Sequence, residues 1–258
     1  VGLITMSLID PRAIIDPSAE LAEGVAIGPW TMIGPNVKIG AGTVINSHVV
    51  VKGPTTIGKN NRIFQFSTIG EDTPDMKYAG EPTQLVIGDN NTFREGVTIH
   101  RGTVQDRGIT SIGSGNLMMA YVHIGHDCTV GSNNASLAGH VDLGDWAILS
   151  GYVLVHQFVS IGPHTLIGPA AFLPQDVPAY VMAFGSPAEP KTINAEGLRR
   201  RGFAKEAISA IKQGYKILYR QGLSLDEALE KLDALSIEHP EVQPLVDSVR
   251  ASSRGIIR

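Results

Sequence analysis

The sequence predicts a mainly β fold, a parallel β-helix followed by an α-helical tail. Every sixth residue from Ile9 to Ile69 is Ile, Leu or Val. A period of six fits neither the 3.6 residues of a helical turn nor the alternation of a strand, so it indicates a longer repeating unit. Several of these residues precede a glycine, as Ile27 precedes Gly28, and a glycine lets the chain bend at a corner. Three such units close one triangular coil with the aliphatic side chain inside.

The same period continues to Leu173, with two interruptions. Its later members are Ile87, Phe93, Ile99, Ile112, Met118, Ile124, Val130, Leu137, Leu143, Leu149, Val155, Ile161, Ile167 and Leu173. The interruptions, at about 71–86 and 101–111, are polar and contain glycine, so we expect loops that leave the coil. Insertions in a solenoid often form its binding face.

After Leu173 the period of six ends and helical spacing takes over. The apolar residues Ile208, Ile211 and Tyr215 predict one helix, with Gly222 where it would stop. Ser224 followed by Glu227 matches a capping box that opens a second helix. A third helix is predicted after Pro240. The expected organisation is a β-helix over residues 1–190 and a helical domain over residues 191–258.

Composition sets modest limits on function. The chain has 258 residues, of which 43% are hydrophobic and 18% charged, as expected of a globular protein with a substantial core. The single cysteine, Cys128, excludes an internal disulfide and fits a reducing compartment. The sequence shows no signal peptide and no membrane-spanning run that the repeats leave unexplained, so we expect a cytoplasmic location without stable membrane insertion. The net charge of −4 argues against nucleic-acid binding.

Positive charge is concentrated in one segment. Between Lys191 and Arg220 the chain has eight Lys and Arg residues, against Glu196 and Glu206. The segment is either a solvated helix face or a docking site for an anion, such as a phosphorylated ligand or an acidic protein. The consecutive arginines 199–201 favour the second interpretation.

Five of the eight histidines fall in the middle coils: His100, His123, His126, His140 and His156. Coils of a β-helix rise by about 4.8 Å, so residues one coil apart on the same face lie in contact. A single surface histidine usually has only a structural role. Five on neighbouring coils are expected to form one wall of a functional site.

Several motifs occur in a restrictive order. They are residues 71–72, 76–83, 98–105, 123–128, 137–140, 155–158 and 194–203. In this order they resemble the UDP-N-acetylglucosamine 3-O-acyltransferase family. The resemblance extends from residue 6 to residue 258. The resemblance implies a left-handed coil and a homotrimer with active sites between neighbouring subunits. It also implies transfer of an (R)-3-hydroxyacyl group from acyl carrier protein to the 3-hydroxyl of UDP-N-acetylglucosamine, the first step of lipid A synthesis. No cofactor or metal is implied, because the phosphopantetheine of acyl carrier protein carries the acyl group.

The resemblance gives three residues catalytic roles. His126 is the implied general base, and a histidine suits proton abstraction from a hydroxyl near neutral pH. Asp127 would orient the imidazole, but neighbouring residues of a strand point to opposite faces, so this pairing requires a bend. The alternative for Asp127 is a side chain that stabilises a turn. The backbone N–H of Gly139 is the implied donor to the oxyanion.

The resemblance also implies substrate-binding residues: Asp75, Lys77, His100, His123, His140, His156, Gln157, Asn194, Glu196, Arg200 and Arg201. Of these, Arg200 best suits a phosphate. Pro169 matches the residue that limits the length of the acyl cleft. Because proline is bulkier than the glycine associated with long chains, we expect an acyl group shorter than fourteen carbons.

The sequence departs from the family at one point, and three rival functions stay open. The family has two full repeats between the positions of Val130 and Leu137, whereas here about five residues are missing around 131–134. Either this coil is short or the recorded sequence skips residues, and the geometry between His126 and Gly139 depends on which of the two holds.

A γ-type zinc carbonic anhydrase would place a metal on three histidines, for which His100, His123 and His126 are the candidates. An acyl-CoA-dependent transferase is the second rival, and a hexapeptide protein without an active centre is the third.

Overall fold

The computed structural model describes residues 8–130 and 136–258. The chain divides into two compact units, Val1–His140 and Val141–Arg258. The predicted domain boundary at 190/191 stays a prediction, and it falls within the last strand before the helices.

Among its described residues, the first unit contains eighteen short strands. They are β1 Ile14–Ile15, β2 Glu20–Leu21, β3 Ala26–Ile27, β4 Met32–Ile33, β5 Val37–Ile39, β6 Val44–Ile45, β7 Val50–Val51, β8 Thr55–Ile57, β9 Arg62–Ile63, β10 Thr68–Glu71, β11 Gln84–Ile87, β12 Thr92–Phe93, β13 Thr98–His100, β14 Ile109–Ile112, β15 Leu117–Met118, β16 His123–Ile124, β17 Thr129–Val130 and β18 Ser136–Leu137. Every third strand pairs in parallel with the next, in the orders β1-β4-β7-β10-β13-β16-β18, β2-β5-β8-β11-β14-β17 and β3-β6-β9-β12-β15. Three parallel sheets wound in this way form the predicted β-helix.

The repeating aliphatic residues form the core of this unit. From Ile27 onward each of them is buried, whereas Ile9, Ile15 and Leu21 in the first coil are half-buried. Partners in adjacent coils stack in register, as Ile33 does on Val51. Removing these ladders from water is the main favourable contribution to folding.

Both predicted loops leave the coil, but each is shorter than expected. The first runs from 72 to 83, because residues 84–87 form β11 and pair with β8. The second runs from 101 to 108, because β14 already begins at Ile109 and pairs with β11. Polar residues such as Thr110 belong to these strands, which is why the sequence pattern placed them in the loops.

The last coil of the first unit is short. Ile33 pairs with Val51, eighteen positions later, whereas Ile124 pairs with Leu137, thirteen positions later. The expected loss at 131–134 lies outside the described residues. In this sequence the two paired residues are five positions closer than in a regular coil, and their pairing brings the segments after β16 and β18 together.

The second unit contains eight strands and four α-helices. They are β19 Asp142–Leu143, β20 Ile148–Leu149, β21 Leu154–Val155, β22 Ser160–Ile161, β23 Leu166–Ile167, β24 Phe172–Leu173, β25 Val181–Phe184, β26 Glu189–Ile193, α1 Ala195–Arg200, α2 Lys205–Arg220, α3 Leu225–Glu238 and α4 Gln243–Ala251, with a 3₁₀ turn at Pro240–Val242. Within this unit β19–β24 continue the parallel pairing, and β25 and β26 form an antiparallel hairpin.

The predicted helices are present, and their ends match the sequence signals. Gly222 follows α2 with a φ of 66°, a conformation that favours glycine at a helix end. Ser224 and Glu227 form the expected capping box of α3. The hairpin and α1 were not predicted, because α1 has only six residues and too few apolar positions to show a period. Among the residues that the structure describes, no helix is long and apolar enough to cross a membrane.

Candidate active site

The pairing of β16 with β18 places Gly139 directly against the ring of His126. His126 follows β16, Gly139 follows β18, and these two strands are paired. A Cβ added to Gly139 would lie 2.8 Å from both Cε1 and Nε2 of His126. Only a glycine therefore lets the imidazole lie so close to the backbone. The N–H of His140 donates to the carbonyl oxygen of His126 at 3.0 Å and fixes this arrangement.

Asp127 turns toward the ring of its own neighbour. Its φ of 55° lies in the left-handed region, which supplies the bend that a regular strand lacks. Nδ1 of His126 consequently lies 3.0 Å from Oδ2 of Asp127, and the carboxylate is fully buried. The structure thus brings together the two residues whose pairing depended on a bend.

Thr103 holds the Asp127 carboxylate from the other side. Its backbone N–H lies 2.9 Å from both carboxylate oxygens, and its hydroxyl donates to Oδ2 at 2.6 Å. A Cβ on Gly102 would come within 2.6 Å of Oδ1, so a glycine is needed for this approach. An ionised carboxylate only accepts hydrogen bonds, so Nδ1 of His126 carries the proton that it donates. In the neutral ring Nε2 is then the basic nitrogen.

A second imidazole stands beside the first. The rings of His126 and His140 are 4.9 Å apart at an angle of 89°. Nδ1 of His140 lies 3.0 Å from Oδ2 of Asp106, in the loop 101–108. Each of the two histidines is therefore paired with its own carboxylate. The sequence motifs predicted the first pair, whereas nothing in them indicated Asp106.

The N–H of Gly139 makes no hydrogen bond to any other residue within 8–130 or 136–258. Among these residues the Gly139 N–H is therefore an available donor next to an imidazole, and donors of this kind can stabilise an oxyanion.

His100 and His123 form another pair, on the sheet that contains β13 and β16. Their rings are 5.2 Å apart, and Nδ1 of His123 lies 2.9 Å from the hydroxyl of Thr98. Burial, and then the neighbouring His100, lower the pKa of His123. Nδ1 of His100 lies 2.6 Å from the carbonyl oxygen of Asp72, which connects the pair to the loop 72–83.

The loop 72–83 presents Asp75 and Lys77. The N–H of Lys77 donates to Oδ1 of Asp75 at 2.9 Å, and the side chain of Lys77 is exposed. The base of the loop is fixed by the buried Arg101, which donates to the carbonyl oxygen of Gly70 at 2.6 Å and forms an ion pair with Asp72. A rigid base with an exposed tip suits a loop that contacts a ligand.

In the second unit, His156 and Gln157 follow β21, and Pro169 follows β23. Nδ1 of His156 lies 2.9 Å from the carbonyl oxygen of Gln157 and 3.4 Å from the Arg254 guanidinium. Pro169 is exposed. His156 was expected in one wall with His100, and that expectation stays a prediction.

The segment around α1 accounts for the predicted tail residues. Asn194 is buried and caps α1, accepting from the Gly197 N–H at 3.1 Å. Glu196 pairs with Arg199 at 2.5 Å and with Arg200 at 2.9 Å, both as exposed pairs. These two arginines therefore have a partner in the helix, and such pairs contribute little to stability.

Arg201 belongs instead to an aromatic cluster that the sequence did not indicate. Cζ of Arg201 lies 5.3 Å from the centre of the Trp146 ring, and its Nη1 lies 3.5 Å from Nδ1 of His164. The His164 ring stacks on Tyr180 at 5.6 Å and meets the edge of Phe203. Burial, and then Arg201, lower the pKa of His164 to about 4. Trp146 and His164 are eighteen residues apart, and this spacing is the signal that would have grouped them.

Within the described ranges, one group of side chains could bind a metal ion. It consists of His126, Asp127 and His140, whose ligand atoms lie within 4.8 Å of one another. The trio of a γ-type zinc site, His100, His123 and His126, forms no such group there. The cluster that does form already uses Nδ1 of His126 for its bond to Asp127.

A family model described as UDP N-acetylglucosamine O-acyltransferase, domain 2, matches residues 176–257, and one described as the GMPPB C-terminal domain matches residues 9–107. Acyl-(acyl-carrier-protein) UDP-N-acetylglucosamine O-acyltransferases of Stutzerimonas stutzeri and Pseudomonas entomophila are 61% and 62% identical to the chain, each over 98% of the chain and 100% of the relative. The UDP-N-acetylglucosamine O-acyltransferase structures LpxA of Acinetobacter baumannii and Moraxella catarrhalis align with TM-scores of 0.95 and 0.94, both at 48% identity over 98% of this chain and 100% of theirs.

These likenesses define a hexapeptide-repeat acyltransferase with a left-handed β-helix, as the resemblance of its motifs implied. The chain belongs to the acyl-(acyl-carrier-protein) UDP-N-acetylglucosamine O-acyltransferase family.

The lowered pKa of His164 predicts a pH dependence of stability. The unfolded chain binds a proton at His164 near pH 6.5, whereas the folded chain does so only near pH 4. The free energy of unfolding should therefore fall as the pH drops from 6.5 to 4. His164→Phe keeps the stacking, and a phenylalanine is already tolerated with positive φ at Phe66. The melting temperature of the variant should fall less than that of the wild type across this range, with equal slopes above pH 7. If the melting temperatures of the variant and the wild type fell equally below pH 6.5, His164 would not be the source of the pH dependence.

Proposed function

We propose that the chain transfers an (R)-3-hydroxyacyl group from acyl carrier protein to the 3-hydroxyl of UDP-N-acetylglucosamine, the first step of lipid A synthesis. Relatives 61% identical over 98% of the chain carry the corresponding name. The observation that carries the proposal is the ring of His126, held between the buried Asp127 carboxylate and the backbone of Gly139. This arrangement suits a general base next to an oxyanion donor.

The reaction uses groups already in place. Nε2 of His126 takes the proton of the sugar 3-hydroxyl while the oxygen attacks the thioester carbonyl. Asp127 stabilises the imidazolium that forms, as a carboxylate does in a triad. The oxyanion of the tetrahedral intermediate accepts from the Gly139 N–H. When the intermediate collapses, the C–S bond breaks, the thiolate takes the proton from His126, and the acyl group remains on the sugar oxygen.

The substrate-binding residues follow from the family resemblance and from their exposure. Asp75 and Lys77, at the tip of the loop 72–83, are assigned to the sugar nucleotide. Arg200 is 78% exposed, so its pair with Glu196 can open and the guanidinium can bind a phosphate. The remaining assignments to the nucleotide or the acyl donor are His100, His123, His140, His156, Gln157, Asn194, Glu196 and Arg201.

Two partners and a location complete the proposal. Acidic acyl carrier protein binds the basic segment 191–220, and a homotrimer forms through the β-helical part of the chain, in the cytoplasm. Supporting the trimer, Ile14 and Met32 on β1 and β4 are 61% and 48% exposed, an apolar face that a second copy would cover. Pro169 sets the end of the acyl cleft and selects a chain shorter than fourteen carbons. The transfer requires no bound metal or cofactor.

His126→Ala tests the base. Product formation from 3-hydroxyacyl carrier protein and UDP-N-acetylglucosamine should fall by about 10²- to 10⁴-fold, because the hydroxyl loses its proton acceptor. The variant should keep the wild-type circular dichroism spectrum and oligomeric state. His48→Ala is the matched control, because the His48 ring contacts the rings of Trp30 and Phe66, which have no proposed role in the site, and the variant should retain activity. Near-normal turnover of His126→Ala would exclude this mechanism.

Gly139→Ala tests the contact between the backbone and the ring. The new Cβ would lie 2.8 Å from His126 Nε2, so the imidazole must move, and kcat should fall by about 10²-fold. Gly151→Ala is the control, because a Cβ there meets no atom within 4 Å. Should both variants turn over alike, the packing of Gly139 on His126 would have no part in catalysis.

A further inference from the structure

The loop 101–108 contacts Asp127, the partner of the His126 ring, and also contacts the ring of His140. Thr103 holds Asp127, and the Arg107 guanidinium donates to the Asp127 carbonyl oxygen at 2.8 Å. The N–H of Gly108 donates to the carbonyl oxygen of Thr103 at 2.9 Å and closes the loop on itself. The segment between them, which includes Asp106, is therefore fixed at both ends rather than free to swing.

Asp106 uses this fixed position to contact His140. Its Oδ2 lies 3.0 Å from Nδ1 of His140, and the Asp106 and His140 side chains are 37% and 16% exposed. The Arg107 guanidinium lies 3.9 Å from the same carboxylate oxygen. Because an ionised carboxylate has no proton to donate, Nδ1 of His140 carries the hydrogen. The contact therefore selects one tautomer of the neutral ring, in which Nε2 is the acceptor, and sets the ring edge-on to His126.

We propose that Asp106 is a positioning residue for substrate binding, which fixes His140 in the tautomer that accepts a hydrogen bond from a hydroxyl or amide N–H of the substrate. The kinetic part of this proposal rests on the acyl transfer proposed above, whereas the tautomer does not. Without Asp106 the ring loses the acceptor that holds its hydrogen on Nδ1, so less of it presents Nε2 as an acceptor to the substrate donor. Asp106 thus acts on binding, whereas Thr103 and Asp127 act on the base.

The kinetics should separate these two effects. A hydrogen bond made equally in the ground state and the transition state changes KM and leaves kcat unchanged. Asp106→Ala should raise KM for one of the two substrates about tenfold with kcat within about twofold of wild type. Asp106→Asn retains an acceptor oxygen for Nδ1–H and should restore most of the loss. Gln105→Ala, an exposed neighbour in the same loop, should behave as wild type.

A double-variant cycle tests whether Asp106 acts through His140. If it does, Asp106→Ala should have no further effect on KM in a His140→Ala background. Additive losses in the double variant would show that Asp106 acts by another route and would overturn the proposal.

The tautomer of His140 can be determined by NMR spectroscopy without any substrate. In the full chain with ¹⁵N-labelled histidine at alkaline pH, the His140 ring should show a protonated Nδ1 and an unprotonated Nε2, and Asp106→Ala should lower the population of this tautomer. A wild-type ring with the hydrogen on Nε2 would overturn the proposal even if acyl transfer is confirmed. The expected tautomer in a chain that transfers no acyl group would instead count against the proposed function alone.

Discussion

The hydrogen bond between Nδ1 of His126 and the buried carboxylate of Asp127 is the interaction on which the proposed site depends. A carboxylate without solvent is stable only when its oxygens are paired, and here Thr103 supplies both a backbone N–H and a hydroxyl. The left-handed backbone of Asp127 aims it at its neighbour's ring, and Gly102 lets the loop 101–108 approach. If any of these conditions failed, the ring of His126 would lose its orientation, and with it the basic Nε2.

The parallel β-helix is suited to hold such a site because its coils stack at a constant spacing. Pairing of β16 with β18 fixes Gly139 beside His126 as firmly as it fixes Leu137 beside Ile124. A residue that follows one of these strands keeps the alignment that the paired core residues set. The site is therefore positioned by buried aliphatic ladders rather than by flexible loops. The two loops then add what the strands cannot supply, which is a second layer of donors and acceptors behind the imidazoles.

Sequence reasoning predicted the features that recur and missed those that occur once. The aliphatic period identified the coil and its core residues, and local signals at Gly222 and Ser224 located helix ends, because both depend on neighbouring residues. The motifs named His126, Asp127 and Gly139, yet the contact of the first two required a positive φ that no period reveals. Asp106 and Thr103 were missed as partners because they reach residues more than twenty positions away through a loop. The hairpin of β25 and β26 was missed because an antiparallel return breaks the parallel repeat that precedes it.

Product formation from UDP-N-acetylglucosamine and 3-hydroxyacyl carrier proteins of ten, twelve and fourteen carbons, on enzyme treated with a chelator, tests the central claim most directly. The account predicts a 3-O-acylated product with one preferred length shorter than fourteen carbons, since each methylene that the cleft cannot accommodate costs about tenfold or more in kcat/KM. Equal use of all three lengths would contradict the role of Pro169. No product with any of them, from a folded chain of wild-type oligomeric state, would contradict the claim that His126, Asp127 and Gly139 form a working acyl-transfer site in this shortened coil.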